Sequence, residues 1–231
     1  MSERFFLASP PQGGRATLVG DEARHLARVL RARVGDAVRV FDGSGLEWPA
    51  RVAAIGRDEV ELALGEPAAG VVADARLTLA VALPKGERQK WLVEKLTELG
   101  VARLVPLDTE RGVAEATPAA LERLRRGVIE ASKQCGRNTL MEIGAPVTLE
   151  VLVAARSPAT LGIVAHPGGE ALGRIPAATP AADIVAAVGP EGGFTDAEVA
   201  AATAGGFHAV SLGPHVLRVE TAAVALAARL A

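Results

Sequence analysis

A chain of 231 residues with 49% hydrophobic content carries enough apolar material for two compact domains or one large one. Aromatics make up only 3% and tyrosine is absent, so Ala, Val and Leu must fill the core, as they do in helix-rich α/β proteins. A net charge of −2, with no acidic or basic tail, excludes a histone-like nucleic-acid binder and confines any RNA-binding charge to a local surface.

Cys135 is the sole cysteine, which rules out a disulfide within the chain and a Cys-x-x-Cys metal site. The opening Met1 to Leu7 lacks the apolar core of a signal peptide, and no unbroken apolar stretch approaches the roughly 18 residues of a membrane span. The expectation is a reduced, soluble, cytoplasmic protein.

Residues 1–70 read as a small β-rich domain with one helix. Asp21 to Arg33 has Ala23, Leu26, Ala27 and Leu30 at the spacing of one helical face, with Asp21 or Gly20 available as a cap and Gly35 just past the end. Its other face carries Arg24, His25, Arg28 and Arg31. Across residues 1–40 seven arginines stand against four acids. Arginine forks match phosphate oxygens, so Arg24, Arg28 and Arg31 are candidate RNA contacts; a plain solvated helix face is the alternative. Short β-prone runs follow at Val38 to Phe41, Trp48 to Ile55 and Val60 to Leu64, separated by the turns Asp42-Gly43-Ser44-Gly45 and Gly56-Arg57-Asp58. Pro67 to Val72 reads as a linker.

Residues 71–231 then alternate strands with helices. Strands are expected at Leu77 to Leu83, Arg103 to Leu107, Thr160 to Ala165, Ile184 to Val188 and Ala209 to Leu212. Helices are expected at Glu87 to Leu99, Pro118 to about Gln134, Asp196 to Ala204 and Thr221 to Leu230. This alternation predicts an α/β domain with a mostly parallel sheet covered on both sides.

Ligands of such sheets bind in loops beyond the carboxyl ends of the strands. Gly189-Pro190-Glu191-Gly192-Gly193-Phe194-Thr195 follows one strand directly, and its glycines allow positive φ and close ligand approach. Thr195 and Glu198 have capping-box spacing. A tight turn without a ligand is the alternative. A second loop, Leu212 to Ala222, also leads from a strand into a helix. Glu220 suits the positive end of that helix. Arg218, between apolar neighbours, is either a functional cation or half of a structural ion pair. There is no P-loop, no Gly-x-Gly-x-x-Gly after the first strand of the large domain, no His-Glu-x-x-His and no Gly-x-Ser-x-Gly elbow. His166, in a loop after a strand, could line a pocket and has no assigned role.

The pair GPEGGFT (189–195) and LGPHVLRVETA (212–222) resembles the ribosomal RNA small subunit methyltransferase E family of the SPOUT superfamily. LRARVGDAVRVFDGSG (30–45), KGERQKWLVEKLTELGV (85–101), ERGV (110–113) and RLRRGVIEASKQCGR (123–137) are similar to further motifs of that family, in the same order. The chain departs from it at His215, where Arg is usual, at Val219, where Thr is usual, and at Asn138 to Glu142, which lack the usual proline.

The resemblance implies a trefoil-knotted SPOUT domain over residues 71–231, preceded over residues 1–70 by a PUA-like β-barrel that grips RNA. It implies a homodimer using S-adenosylmethionine, without metal, to methylate N3 of a uridine in the decoding region of 16S ribosomal RNA on the assembled small subunit. Gly189, Pro190, Glu191, Gly192, Gly193, Leu212, Gly213 and Leu217 would hold the cofactor, mostly through backbone groups. Arg218 would stabilise charge on the uridine carbonyls, Glu191 or Glu220 would accept or relay the N3 proton, and Arg111 would orient the uridine. Two other readings stay open: a SPOUT enzyme acting on a transfer RNA ribose, and a non-catalytic ribosome assembly factor.

Overall fold

The computed structural model describes residues 3–70, 77–175 and 183–231. The chain divides into two compact units, Met1–Val72 with Ile129–Leu140, and Ala73–Val128 with Met141–Ala231.

In the first unit, β1 (Arg4–Phe6), β2 (Arg15–Val19), β3 (Ala37–Phe41), β4 (Leu46–Ile55), β5 (Glu59–Leu64) and β6 (Ala68–Ala69) form one sheet. Its order is β1-β3-β4-β5-β2, with β6 on β4. Pairing is antiparallel except between β1 and β3. The sheet is open, a half-barrel. Period-2 patterning explains its single core: in β2, Ala16 and Leu18 point inward while Arg15, Thr17 and Val19 face solvent. Phe5, Val40, Trp48, Val52 and Leu62 complete that core. The expected linker is half strand, because Ala68 and Ala69 pair with β4; residues 71 and 72 lie outside the described residues.

The helix expected over residues 21–33 is shorter and irregular. An α-helical segment, α1 (Gly20–Arg24), passes into a single π turn over His25–Val29. Leu30 N–H donates to the His25 carbonyl at 3.0 Å, one residue further back than in an α-helix. Ala23 and Leu26 stay buried, but Arg31 turns into the left-handed region at φ 53° and ends the helical path. Arg31 therefore does not share a helix face with Arg24. Nor does Asp21 or Gly20 cap the start: Val19 occupies that position, and the Asp21 carboxylate takes Arg24 at 2.6 Å instead.

The last turns of α3 (Pro118–Cys135) belong to this first unit. Arg4 lies over the Phe41 ring at 4.7 Å, pairs with Glu47 at 2.8 Å and donates to the Ser132 carbonyl at 2.6 Å. A cation among the final carbonyls of a helix satisfies groups that the helix leaves open.

The second unit holds an all-parallel sheet. Its strands are β7 (Leu77–Val81), β8 (Arg103–Asp108), β9 (Glu142–Ile143), β10 (Val147–Thr148), β11 (Leu161–Ala171), β12 (Ile184–Val188) and β13 (Phe207–Ser211). The order is β10-β8-β7-β12-β11-β13, with β9 also on β8. The helices are α2 (Glu87–Glu98), the first part of α3, α4 (Leu149–Ala154), α5 (Asp196–Ala204) and α6 (Val219–Leu230). The central runs Leu77 to Val81 and Ile184 to Val188 are almost wholly buried, as a doubly covered parallel sheet requires. From the edge strand β13 the chain returns to lay α6 against α2, β7 and β12.

One strand runs longer than expected. β11 continues to Ala171, with its register against β13 shifted between Ala165 and Glu170. His166 to Gly169 bulge from the ladder there. At Gly169 a Cβ would lie 2.5 Å from the Ala209 and Val210 backbone, so only glycine permits the approach.

Candidate functional site

The two glycine-bearing loops meet at the carboxyl ends of β11, β12 and β13. Together with Ala165 to Pro167 they enclose a cleft of about 290 Å³. Gly189, Pro190, Glu191, Gly192, Gly193, Leu212, Gly213 and Leu217 all line it. Apolar side chains and backbone make up most of the wall, the usual make-up of a small-molecule site.

The glycines act in two different ways. Gly193 has φ 69° and Gly213 φ 142°, backbone that disfavours L side chains. Gly189 is not in that region; a Cβ there would sit 3.0 Å from the Phe194 ring, so its role is close packing. The expected capping box is present, with Glu198 N–H donating to Thr195 Oγ1 at 3.2 Å and Thr195 N–H to Glu198 Oε2 at 2.7 Å. Glu198, 8% exposed, also accepts from Glu110 N–H at 3.3 Å through its other oxygen. The same carboxylate thus starts α5 and anchors the loop after β8.

Arg111, on that loop, donates to the Gly192 carbonyl at 2.9 Å. It braces that glycine loop from the loop after β8. Arg218 is the N-cap residue of α6 and is exposed, between the cleft-lining Leu217 and Val219. Among the described residues its side chain has no hydrogen-bond or ion-pair partner, so the structure offers no structural ion pair to account for it. Glu220 is 7% exposed in the first turn of α6. Its Oε2 has no hydrogen bond, and the nearest positive charge is Arg88, at 3.8 Å. Arg88 also pairs with Glu191 at 3.2 Å. In the sequence Arg88 stands inside a family motif without a role of its own, because no spacing rule links α2 to residues about a hundred positions later.

His166 and His215 both line the cleft, and His166 Nδ1 accepts from Gly168 N–H at 3.2 Å, which fixes its ring locally. Among the described residues no group of three His, Cys, Asp or Glu could hold a metal ion, and no helix is long and apolar enough to cross a membrane.

The three candidate RNA contacts lie in the first unit and are all exposed. Arg24 pairs with Asp21, while Arg28 donates to the Arg57 carbonyl at 3.3 Å and lies 4.0 Å from Asp58. The Arg31 side chain has no partner among the described residues. Val29 and Leu30 stand exposed between Arg28 and Arg31, and Val34 is exposed just beyond them.

A parallel α/β core with its cleft at glycine-bearing strand ends, preceded in the chain by a PUA-like half-barrel, defines the class of RNA methyltransferases. The family model of the RNA methyltransferase domain matches residues 73–231, and that of the RNA methyltransferase PUA domain matches residues 18–64. Ribosomal RNA small subunit methyltransferase E of Synechocystis sp. is 38% identical over 216 residues, covering 91% of this chain and 71% of that protein. Its counterpart in Rickettsia conorii is 31% identical, covering 95% of this chain and 90% of that one. The crystal structure of ribosomal RNA small subunit methyltransferase E from Neisseria gonorrhoeae, bound to S-adenosylmethionine, superposes with a TM-score of 0.91. It is 29% identical, over 99% of this chain and 96% of that one. The chain belongs to the ribosomal RNA small subunit methyltransferase E family.

Proposed function

We propose that this protein transfers a methyl group from S-adenosylmethionine to N3 of a uridine in the decoding region of 16S ribosomal RNA. The substrate is the assembled small subunit, in the cytoplasm. The observation that carries this reading is the cleft between residues 189–193 and 212–217, together with family membership. The cleft suits the cofactor: Gly192, Gly193 and Gly213 expose backbone groups, while Leu212 and Leu217 offer apolar surface to the adenine. The Oε2 of Glu220, buried, without a hydrogen bond and 3.8 Å from Arg88, adds an acceptor beside the lining residue Val219.

S-adenosylmethionine supplies an electrophilic methyl on a sulfonium, so the chain's task is orientation and charge. The N3 lone pair forms the new bond as the N3 proton leaves to a carboxylate, Glu191 or Glu220, and the sulfonium departs as a neutral thioether. Arg218, exposed and without a partner among the described residues, is free to meet the charge that gathers on the flanking carbonyl oxygens. Arg111 keeps the glycine loop in place and thereby orients the uridine against the cofactor. The target base must be unpaired, since N3 lies on its Watson–Crick edge. Arg24, Arg28 and Arg31 supply phosphate contacts from the domain over residues 1–70.

Mass spectrometry of nucleosides from unmodified small subunits incubated with the protein tests this. The expected product is 3-methyluridine. A ribose-methylated nucleoside would point to the transfer RNA class of SPOUT enzyme, and RNA binding without any methyl product to an assembly factor.

We further propose a homodimer through α6. Its Val219, Ala222, Ala223, Leu226 and Ala227 are buried within one chain, which leaves the small apolar Val224, Ala225 and Ala228 on the other side for a second copy. Sedimentation at micromolar concentration should give twice the chain mass; a monomer alone would refute it.

A further inference from the structure

We infer that Arg88 is a positioning residue that sets the gap between the two cofactor loops. The inference rests on the reading of the cleft as the S-adenosylmethionine site.

Arg88 stands in the first turn of α2, on neither loop. Its two terminal nitrogens go to different partners, one to Glu191 Oε1 at 3.2 Å and the other to Glu220 Oε2 at 3.8 Å. Glu191 belongs to the loop after β12. Glu220 stands in the first turn of α6, which follows the loop after β13. A single guanidinium therefore ties both walls of the cleft to a third element that itself packs on α6.

The loops need such a tie. Gly193 and Gly213 take positive φ, so each loop contains a residue whose backbone has no Cβ to restrict it. Arg111 braces only the first loop, at Gly192. The second loop is held locally by Ser211 Oγ, which receives Gly213 N–H at 3.4 Å and donates to the Gly213 carbonyl at 3.1 Å. Among the described residues, Arg88 is the side chain that engages carboxylates from both loop segments.

Burial separates this arrangement from an ordinary surface pair. The Glu220 side chain is 9% exposed, against 40% for Arg88 and 39% for Glu191. Without Arg88 the Glu220 carboxylate would be buried with an unbonded oxygen and no counter-charge, and the first turn of α6 would shift to hydrate it. The planar fork of arginine can reach both carboxylates at once, whereas lysine presents one point charge.

The test is calorimetric titration of S-adenosylmethionine into the full-length chain without RNA. Arg88→Ala should weaken binding by about tenfold or more, the pattern of truncating one partner of a buried charge pair. Arg88→Lys should fall between Arg88→Ala and wild type. Glu191→Gln leaves α2 untouched and should also weaken binding. Combined with Arg88→Ala it should add little, because the pair is already broken. In turnover assays of Arg88→Ala alone the KM for the cofactor should rise while kcat at saturation stays within about threefold, the mark of weakened ground-state binding. A folded Arg88→Ala variant with wild-type affinity, or effects that simply multiply in the double variant, would overturn the inference alone. A wild-type chain without affinity for the cofactor would bring down the cofactor reading and this inference with it.

Discussion

Arg24, Arg28 and Arg31 of the first unit and Arg218 of the second are all exposed, yet they are held in opposite ways. Arg24 and Arg28 sit on an irregular α-to-π segment, each near an aspartate, and Arg31 follows on left-handed backbone. None of them lines the cleft between the two glycine-bearing loops. Arg218 instead caps a regular helix between two cleft-lining residues, and its side chain has no partner among the described residues. In the proposed function the first arrangement supplies a diffuse field of charge for phosphates, and the second places one charge beside the reacting atoms. On that proposal affinity and chemistry belong to different units, so each should be removable alone.

Arg218→Ala should therefore show the largest effect. Turnover on saturating RNA should fall on the order of a hundredfold or more, the common cost of losing one stabiliser of transition-state charge. Cofactor affinity and the salt dependence of RNA binding should hardly move. Steady-state kinetics together with salt titrations check this, and full turnover in the variant would remove the division of labour.

Replacing Arg28 and Arg31 together by Ala should leave cofactor affinity alone and weaken RNA binding. For every phosphate that is no longer neutralised, the log–log salt slope should flatten by about 0.7 on a single strand. Binding titrations at several salt concentrations give that slope directly. Unchanged affinity at every salt concentration would clear these arginines of any role at the RNA. If both this variant and Arg218→Ala lose both properties, charge and chemistry share one RNA surface and the comparison collapses.

The two units also differ in how far the sequence discloses them. In the second, each expected strand and helix lies where hydrophobic runs and punctuation put it. Gly100, at φ 84°, stops α2, and the Thr195–Glu198 box starts α5. Buried parallel strands write themselves as continuous apolar runs. The elements that escape such a reading are short or weakly patterned: the two-residue strands β9 and β10, the six-residue α4, and β11 beyond its bulge. In the first unit β1 is three residues long, too short for an alternation to register. The helix departs from expectation for a different reason. Apolar spacing from Ala23 to Leu30 fits an α-helix well, and nothing local announces a π turn or a left-handed arginine.

The site shows the same limit. Loops beside strands are legible because their glycines and caps are contiguous in the chain. The Arg88–Glu191–Glu220 group and the Glu110–Glu198 bond join segments separated by dozens of residues, and only the folded sheet brings them together.

The smallest expected effect sharpens the comparison at its least regular point. Arg31 is the only non-glycine residue at positive φ among the described residues. That conformation costs an L residue about 1–2 kcal/mol, because Cβ crowds the following carbonyl, and glycine escapes the penalty. Glycine gives back roughly 0.5–1 kcal/mol of this through its freer unfolded chain. Arg31→Gly should thus be more stable than Arg31→Ala by up to about 1.5 kcal/mol. Both variants remove the same charge, so both should show the same drop in RNA affinity and the same salt slope. Urea unfolding measures the first difference and salt titration the second. Equal stabilities would mean that the turn relaxes out of the left-handed region once the arginine is gone. A glycine variant that bound RNA more weakly than the alanine variant would show that the shape of the turn, and not its charge alone, meets the RNA.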